Sequence, residues 1–278
     1  MQRADTVAHT SSLPRPRKRF GQHFLHDPAV IDRIVAAIAP SIDKRILEIG
    51  PGRGALTRPL LAAAGHLDVV EVDRDLARLL PQQLNAGSDK LRVHCIDALE
   101  FKLDAVTTVD RPAIVVGNLP YNISSPLLFH LLAQTEFIAE MVFMLQKEVV
   151  ERIAAKPGGK EYGRLSVMIQ YHCRVEHLFN IGPGAFTPAP KVESAVVRLT
   201  PRQQSASGRA RSESTLRELV RRAFTARRKT LRNALRDICT ETMLISAGID
   251  PNQRAETLLV EQFVRLANLK FEQQSQLM

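Results

Sequence analysis

Cysteine is scarce in this chain, and the three that occur, Cys95, Cys173 and Cys239, lie far apart with no CxxC pair. An odd, scattered set excludes a disulfide framework and argues against structural zinc. No apolar run reaches the ~18 residues that a membrane span requires, and no signal-peptide core follows the N-terminus. Glycine (14) and proline (16) are too few for a fibrous or low-complexity chain. No internal repeat is present, and the eight histidines show no metal-ligand spacing; His172 and His177 are expected to pack or face solvent. What remains is 278 residues with 45% hydrophobic and 24% charged side chains. That is enough chain to bury a full core without cross-links. The expectation is a reduced, cytoplasmic, globular protein of one or two domains.

The formal charge of +9 is unevenly spread. Arg3, Arg15, Arg17, Lys18 and Arg19 against Asp5 give the first twenty residues a net +4, and eleven basic against three acidic side chains give residues 201–240 a net +8. The rest of the chain nets −3. Basic blocks of this kind gain free energy by displacing counterions from a phosphate backbone, although a solvated helix face carries the same signature. Residues 1–19, interrupted by Pro14 and Pro16 and without amphipathic period, read as a flexible basic arm.

From about residue 27 to 200, helical and extended patterns alternate. Asp27-Pro28 caps a helix carrying Val30, Ile31, Ile34, Val35 and Ile38, which Pro40 ends. Strands are predicted at Ile46–Ile49, Val69–Val72, Leu91–Ile96, Ala113–Gly117 and Met141–Leu145. The helices between and after them are predicted at Gly54–Ala64, with Pro59 bending or shortening it, at Asp73–Leu84, from Ser125 to about Ala133, and at Glu148–Ala155. Such alternation gives parallel strands with helices on both faces, and near-continuous apolar strands agree. Two further strands are predicted at Ser166–Arg174 and Ala195–Leu199, separated by the loop Gly182–Pro190. Residues 201–212 are a polar linker, and from Thr215 onward a helical, basic segment follows.

Gly50-Pro51-Gly52-Arg53-Gly54 places a GxGxG between a buried strand and a helix. It departs from the dinucleotide form GxGxxG, and the short form suits a nucleoside with no pyrophosphate to seat. Glu71, 21 residues past Gly50 at the end of the second strand, is placed to accept hydrogen bonds from both ribose hydroxyls. Asp73 competes for that role and reads equally as the N-cap of the next helix. Asp97, just past the third strand, is placed either to bind an adenine amino group or to cap a turn. The C-terminal ends of consecutive parallel strands meet at one crevice. The pattern resembles the Rossmann-like S-adenosylmethionine-dependent methyltransferase fold.

The fourth strand ends in Asn118-Leu119-Pro120-Tyr121, which resembles the (N/D/S)-PP-(Y/F/W) signature of methyltransferases acting on exocyclic amines. The N6 lone pair of adenine is delocalised, so the amine is a poor nucleophile. The Asn118 side-chain oxygen and the Leu119 carbonyl could bind its two hydrogens and favour a pyramidal nitrogen. Pro120 stiffens the turn, and Tyr121 would stack on an unstacked base. Such chemistry needs positioning and electrostatics, and demands no catalytic acid, base or metal.

Arg17–Leu25 (RKRFGQHFL), the glycine turn, Asn118–Tyr121 and Phe186–Val192 (FTPAPKV) together resemble the ribosomal RNA adenine N6,N6-dimethyltransferases, from about residue 15 to 270 and in the same order. The resemblance is greatest to the group that dimethylates two adjacent adenosines near the 3′ end of 16S rRNA during ribosome biogenesis. It implies S-adenosylmethionine as methyl donor, held by His23, Leu25, Gly50, Glu71, Asp97 and Asn118. Phe186 would stack on the target adenine opposite Tyr121. His23 stands where many members have asparagine, and imidazole can still hydrogen-bond. The resemblance further implies a methyltransferase domain over residues 20–200 and a helical RNA-binding domain over residues 213–278. In the latter, Arg221, Arg222, Arg227, Arg228, Lys229 and Arg232 would contact the RNA backbone without base specificity, with Arg228 and Arg232 able to share a helix face. The partner would be 16S rRNA in the small subunit or its precursor, and a monomer is expected. A 23S rRNA methyltransferase of the resistance type, a non-catalytic nucleic-acid-binding factor on the same fold and a DNA adenine methyltransferase are the competing functions.

Overall fold

The computed structural model describes Arg17, residues 22–202 and residues 208–276. All of the expected basic arm except Arg17 lies outside the described residues, as do residues 203–207 of the linker.

Two residues, Phe24–Leu25 (β1), pair antiparallel with Phe186–Thr187 (β8). Between them come α1 (Pro28–Ile38), β2 (Ile46–Ile49), α2 (Thr57–Ala64), β3 (Leu67–Val70), α3 (Arg74–Leu84), β4 (Leu91–His94), β5 (Ala113–Asn118), α4 (Ser124–Leu132), β6 (Ile138–Gln146), α5 (Lys147–Ala154), α6 (Arg164–His172) and β7 (Cys173–Ile181). The chain then returns through β9 (Ser194–Pro201) to α7 (Glu213–Thr225), α8 (Leu231–Ala234), α9 (Glu241–Ser246) and α10 (Val260–Gln276). Among the described residues the main sheet has seven strands in the order β4-β3-β2-β5-β6-β9-β7, parallel from β4 to β6, with β9 antiparallel to both its neighbours. From β2 the chain moves outward to β3 and β4, then crosses to β5 on the other side. That reversal opens a crevice at the C-terminal ends of β2 and β5.

Alternation along β6 shows why the strands read as continuous apolar runs. Met141, Phe143 and Leu145 face one core, with α4, α5, α6 and the C-terminal helices, while Val142 and Met144 face the other, with α1, α2 and α3. Leu216, Leu219, Val220 and Phe263 of the C-terminal helices are continuous with the first of these cores. Tyr162 ties them in by donating its phenol proton to the Leu258 carbonyl at 3.0 Å.

Several boundaries differ from expectation for physical reasons. Asp27 caps α1 as predicted, accepting from the amides of Ala29 and Val30. Helix α2 begins at Thr57, so Pro59 occupies the first turn, where a missing N–H costs nothing and no bend is needed. Strand β3 ends at Val70, two residues before the predicted end, and Val72 is 44% exposed. The predicted strand Ser166–Arg174 is a correction: residues 164–172 form helix α6, and the strand follows at Cys173–Ile181. Leu165, Val167, Met168, Ile169 and Tyr171 are buried around most of the helix, so no amphipathic period marks it. Edge strand β7 carries Arg174, Glu176 and His177, and its polarity hid it. The C-terminal segment is also broken between Thr225 and Leu231, so Arg228 lies in a turn and shares no helix face with Arg232.

Candidate active site

At the crevice the strand ends enclose a cavity of about 270 Å³. Gly50 and Gly52 adopt φ of 69° and 56°, and a Cβ on Gly52 would press on the Phe24 ring at 3.1 Å. The Gly52 amide donates to Glu71 Oε2 at 3.2 Å, and the Asp73 amide donates to Glu71 Oε1 at 2.9 Å. Glu71 thus ties the glycine turn to the exit of β3 while remaining in the cavity wall. Asp73 does something else. It caps α3 by accepting from the Asp75 amide at 3.1 Å, pairs with Arg17 at 3.1 Å, and is not part of the wall. Asp97 caps a turn, its Oδ1 accepting from the Leu99 amide at 2.9 Å, and it also lines the cavity.

Below the turn, Gly117 has no alternative: a Cβ there would stand 2.3 Å from the Ile49 carbonyl oxygen. That close approach of β5 to β2 brings Asn118 to the rim. Its Nδ2 donates to the His23 carbonyl at 2.9 Å, which orients the amide and leaves Oδ1 as an acceptor. Leu119 is buried, and its amide donates to the Met144 carbonyl at 3.1 Å. The Tyr121 phenol lies 2.7 Å from Ser194 Oγ, and burial pushes its ionisation up, with the Ser194 contact pulling slightly the other way. The His23 ring stacks on Tyr121 with centroids 5.6 Å apart and planes at 26°, and its Nδ1 is 2.7 Å from the Pro188 carbonyl. Both His23 and Leu25 line the cavity.

Two predicted groups are not brought to this cavity. Phe186 is 3% exposed, packed in the core beside Leu25 and outside the wall. The basic residues of the C-terminal segment lie outside it too, and most are already paired. Arg221 and Arg222 both bind Glu218, holding its carboxyl down at about 2. Arg227 binds Glu256, and Arg232 binds Glu241. Arg228 and Lys229 are exposed, with no side-chain partner among the described residues.

Sequence reasoning missed four contributors. Val72 and Ile96 are exposed apolar side chains on the cavity lip, 44% and 36% accessible, where a flat aromatic ligand could cover them. Ser194 holds Tyr121. Glu48 is buried in the cavity wall, and its Oε2 has no hydrogen-bond partner among the described residues. Burial pushes the Glu48 carboxyl up to about 8; the nearby Thr57 hydroxyl, outside hydrogen-bond geometry, pulls down, and the Glu71 charge adds to the rise. Burial raises Glu71 as well, against the backbone amides it accepts from. A charged residue inside Ile46-Leu47-Glu48-Ile49 was the available signal. Two buried carboxyl groups face one cavity, and a cationic ligand would favour their ionised forms; S-adenosylmethionine, with its sulfonium and ammonium groups, is such a ligand.

The chain matches the family model described as ribosomal RNA adenine dimethylase over residues 14–272. It is 53% identical to the ribosomal RNA small subunit methyltransferase A of Nitrosococcus oceani, over 91% of this chain and 95% of that protein. The protein of the same name from Pseudomonas aeruginosa is 54% identical, over 91% and 94%. Among solved structures, a dimethyladenosine transferase from Plasmodium falciparum superposes with a TM-score of 0.77 at 26% identity, covering 91% of this chain and 98% of that one. The 23S rRNA methyltransferase ErmE gives 0.64 at 27% identity, covering 88% and 98%. By sequence along nearly its whole length, this chain belongs to the ribosomal RNA adenine dimethylase family.

Proposed function

We propose that this S-adenosylmethionine-dependent enzyme dimethylates N6 of two adjacent adenosines near the 3′ end of 16S rRNA, within the small ribosomal subunit or its precursor. The observation that carries the chemistry is Asn118 at the cavity rim, its Nδ2 committed to the His23 carbonyl and its Oδ1 without a partner among the described residues. An exocyclic amine placed there donates one hydrogen to Asn118 Oδ1 and the other to the Leu119 carbonyl. Both contacts draw the nitrogen toward sp³ geometry and free its lone pair. Bound against Gly50, Glu71 and Asp97, with His23, Leu25 and Asn118 closing over it, the cofactor supplies a methyl group on a sulfonium, which N6 takes while the S–C electron pair stays on sulfur. The proton lost from N6 passes to water, so no side chain need act as a base. Tyr121 stacks on one face of the adenine. The second face is assigned to Phe186, which has to swing out of the core to meet it.

In this reading residues 20–200 perform the transfer and residues 213–278 hold RNA. Arg228 and Lys229 meet phosphates directly, Arg221, Arg222 and Arg232 exchange exposed carboxylate partners for phosphates, and Arg227 gives up the half-buried Glu256. Exposed ion pairs of that kind are worth only ~0–1 kcal/mol, so the exchange costs little. The small-subunit target is favoured over 23S rRNA because relatives named for the small subunit are 53–54% identical, whereas the 23S enzyme is 27% identical. The enzyme is expected to act as a cytoplasmic monomer. The test is methylation from radiolabelled S-adenosylmethionine of unmodified small subunits and, in parallel, of protein-free 23S rRNA. N6,N6-dimethyladenosine in 16S rRNA is the expected product. Label confined to 23S rRNA would move the enzyme to the resistance type, and cofactor binding without label in either would leave a nucleic-acid-binding factor.

A further inference from the structure

Ser194 opens β9 at the rim of the sheet, opposite Gln146 of β6 and Ile181 of β7. Its side chain is fully buried, on the same strand face as Val196, yet it carries a hydroxyl. A buried hydroxyl without a partner is destabilising, so a serine in this position has to be satisfied. Its contact is the Tyr121 phenol, 2.7 Å away and 73 residues distant in sequence. Tyr121 itself does not need the contact, because it is only half-buried beside an open cavity and could be hydrated. What the contact adds is a fixed ring.

We propose that Ser194 is a positioning residue for methyl transfer, holding the Tyr121 ring plane at the angle that a stacked adenine must match. This rests on the adenine methyltransferase reading above. The anchorage has two ends. Ser124 Oγ donates to the Tyr121 carbonyl at 3.1 Å and fixes the backbone, while Ser194 fixes the far end of the ring. Ser194 is itself held in place, since the Lys147 amide donates to the Glu193 carbonyl at 3.0 Å and Lys147 Nζ bridges Glu193 Oε2 at 2.6 Å. The junction between β6 and α5 therefore sets the start of β9, and the start of β9 sets the ring. The phenol plays no acid–base part at neutral pH, because a tyrosine ordinarily ionises near 10 and burial pushes this one higher.

Steady-state methylation by the full-length Ser194→Ala, Tyr121→Phe and doubly substituted proteins tests this, with tyrosine-specific isotope labelling to follow the Tyr121 ring by NMR. Each single variant should lose turnover by roughly fivefold to tenfold, the rate equivalent of one hydrogen bond, with KM for S-adenosylmethionine unchanged. The double variant should be no slower than Tyr121→Phe, because Ser194 acts only through the phenol. Multiplicative losses, or full turnover in Ser194→Ala, would overturn the proposal. If the wild-type protein methylated no rRNA, the function itself would be at fault, and the NMR arm would still decide. A Tyr121 ring signal unaltered by Ser194→Ala refutes the anchor, and a shifted or broadened one upholds it.

Discussion

Glu48→Gln should make the cofactor-free protein more stable in alkaline solution and leave it almost unchanged in acid. The unfolded chain ionises Glu48 near the ordinary value of 4.5, whereas the folded protein keeps the proton until about pH 8. A raised carboxyl of this kind leaves stability intact below the unfolded value. Stability then falls as pH rises toward the folded value and is level above it. At 1.36 kcal/mol per tenfold, the full displacement corresponds to about 5 kcal/mol, and water entry and relaxation around the cavity bring the working figure to ~2–3 kcal/mol. Glutamine keeps the shape and carries no charge, so it escapes the loss. For a chain of this length that is a melting-temperature advantage of about 4–10 °C at pH 8.5, shrinking to about 1–3 °C at pH 5. Calorimetric melts of both proteins at the two pH values measure it, and other titrating groups cancel in the difference. An equal difference at both pH values, or a less stable variant at pH 8.5, would refute the claim that Glu48 is a buried carboxyl group whose ionisation the fold disfavours. Added S-adenosylmethionine should raise the wild type more than the variant at pH 8.5, since only the wild type gains a partner for its charge.

Asn118→Ala should cut turnover by about 10²-fold or more, the typical cost of removing one polar contact to the reacting group, in the subunit methylation assay; retained turnover would exclude the amine-acceptor role. Gly117→Ala should destabilise the fold by about 3 kcal/mol or more in chemical denaturation, because its Cβ would meet the Ile49 carbonyl oxygen at 2.3 Å and two strand backbones would have to part. The pair Arg228→Ala and Lys229→Ala should weaken rRNA binding whatever the sequence offered, and should flatten the dependence of log affinity on log salt by roughly 1.5 to 2 in filter binding. An unchanged salt slope would mean that this turn does not touch phosphate.

The parallel half of the sheet was legible because β2, β3, β5 and β6 are largely apolar runs buried on both faces, and the starts of α1 and α3 carry capping residues, Asp27 and Asp73. Legibility failed where burial was uniform or reversed. Helix α6 is apolar on nearly all sides and imitates a strand, and β7 is an edge with charged side chains and imitates a loop. The strap of Phe24–Leu25 onto Phe186–Thr187 joins residues 161 and 163 apart in two-residue strands, too short to carry any period. At the site, Gly50, Asn118 and Tyr121 were readable because backbone geometry or a motif demands those residue types. That Asp73 caps α3 while Glu71 faces the cavity turned on which carboxylate the Gly52 amide reaches. That separation lies in three dimensions and not in spacing.

The least legible residues share a character. Glu48 and Ser194 are polar side chains in buried strands, and Gly117 is a glycine inside one; each departs from what a strand interior favours. Core packing alone would replace Glu48 by an aliphatic residue and Ser194 by alanine. Glu48 lines the crevice where the chain reverses direction across the sheet, Gly117 immediately precedes Asn118 in its wall, and Ser194 reaches it through Tyr121; each acts on a different element of the site: charge in the cavity wall, the approach of Asn118 to the glycine turn, and the tilt of Tyr121. Local inconsistencies gathered around one crevice are what a functional site is expected to produce, because chemistry needs groups that packing disfavours. The same reasoning separates Glu48 from Glu71. Glu71 has two backbone amides to accept from and would retain a structural role in a protein without ligand, whereas Glu48 Oε2 has no hydrogen-bond partner among the described residues, and its charged form is favoured only when a cation enters the cavity.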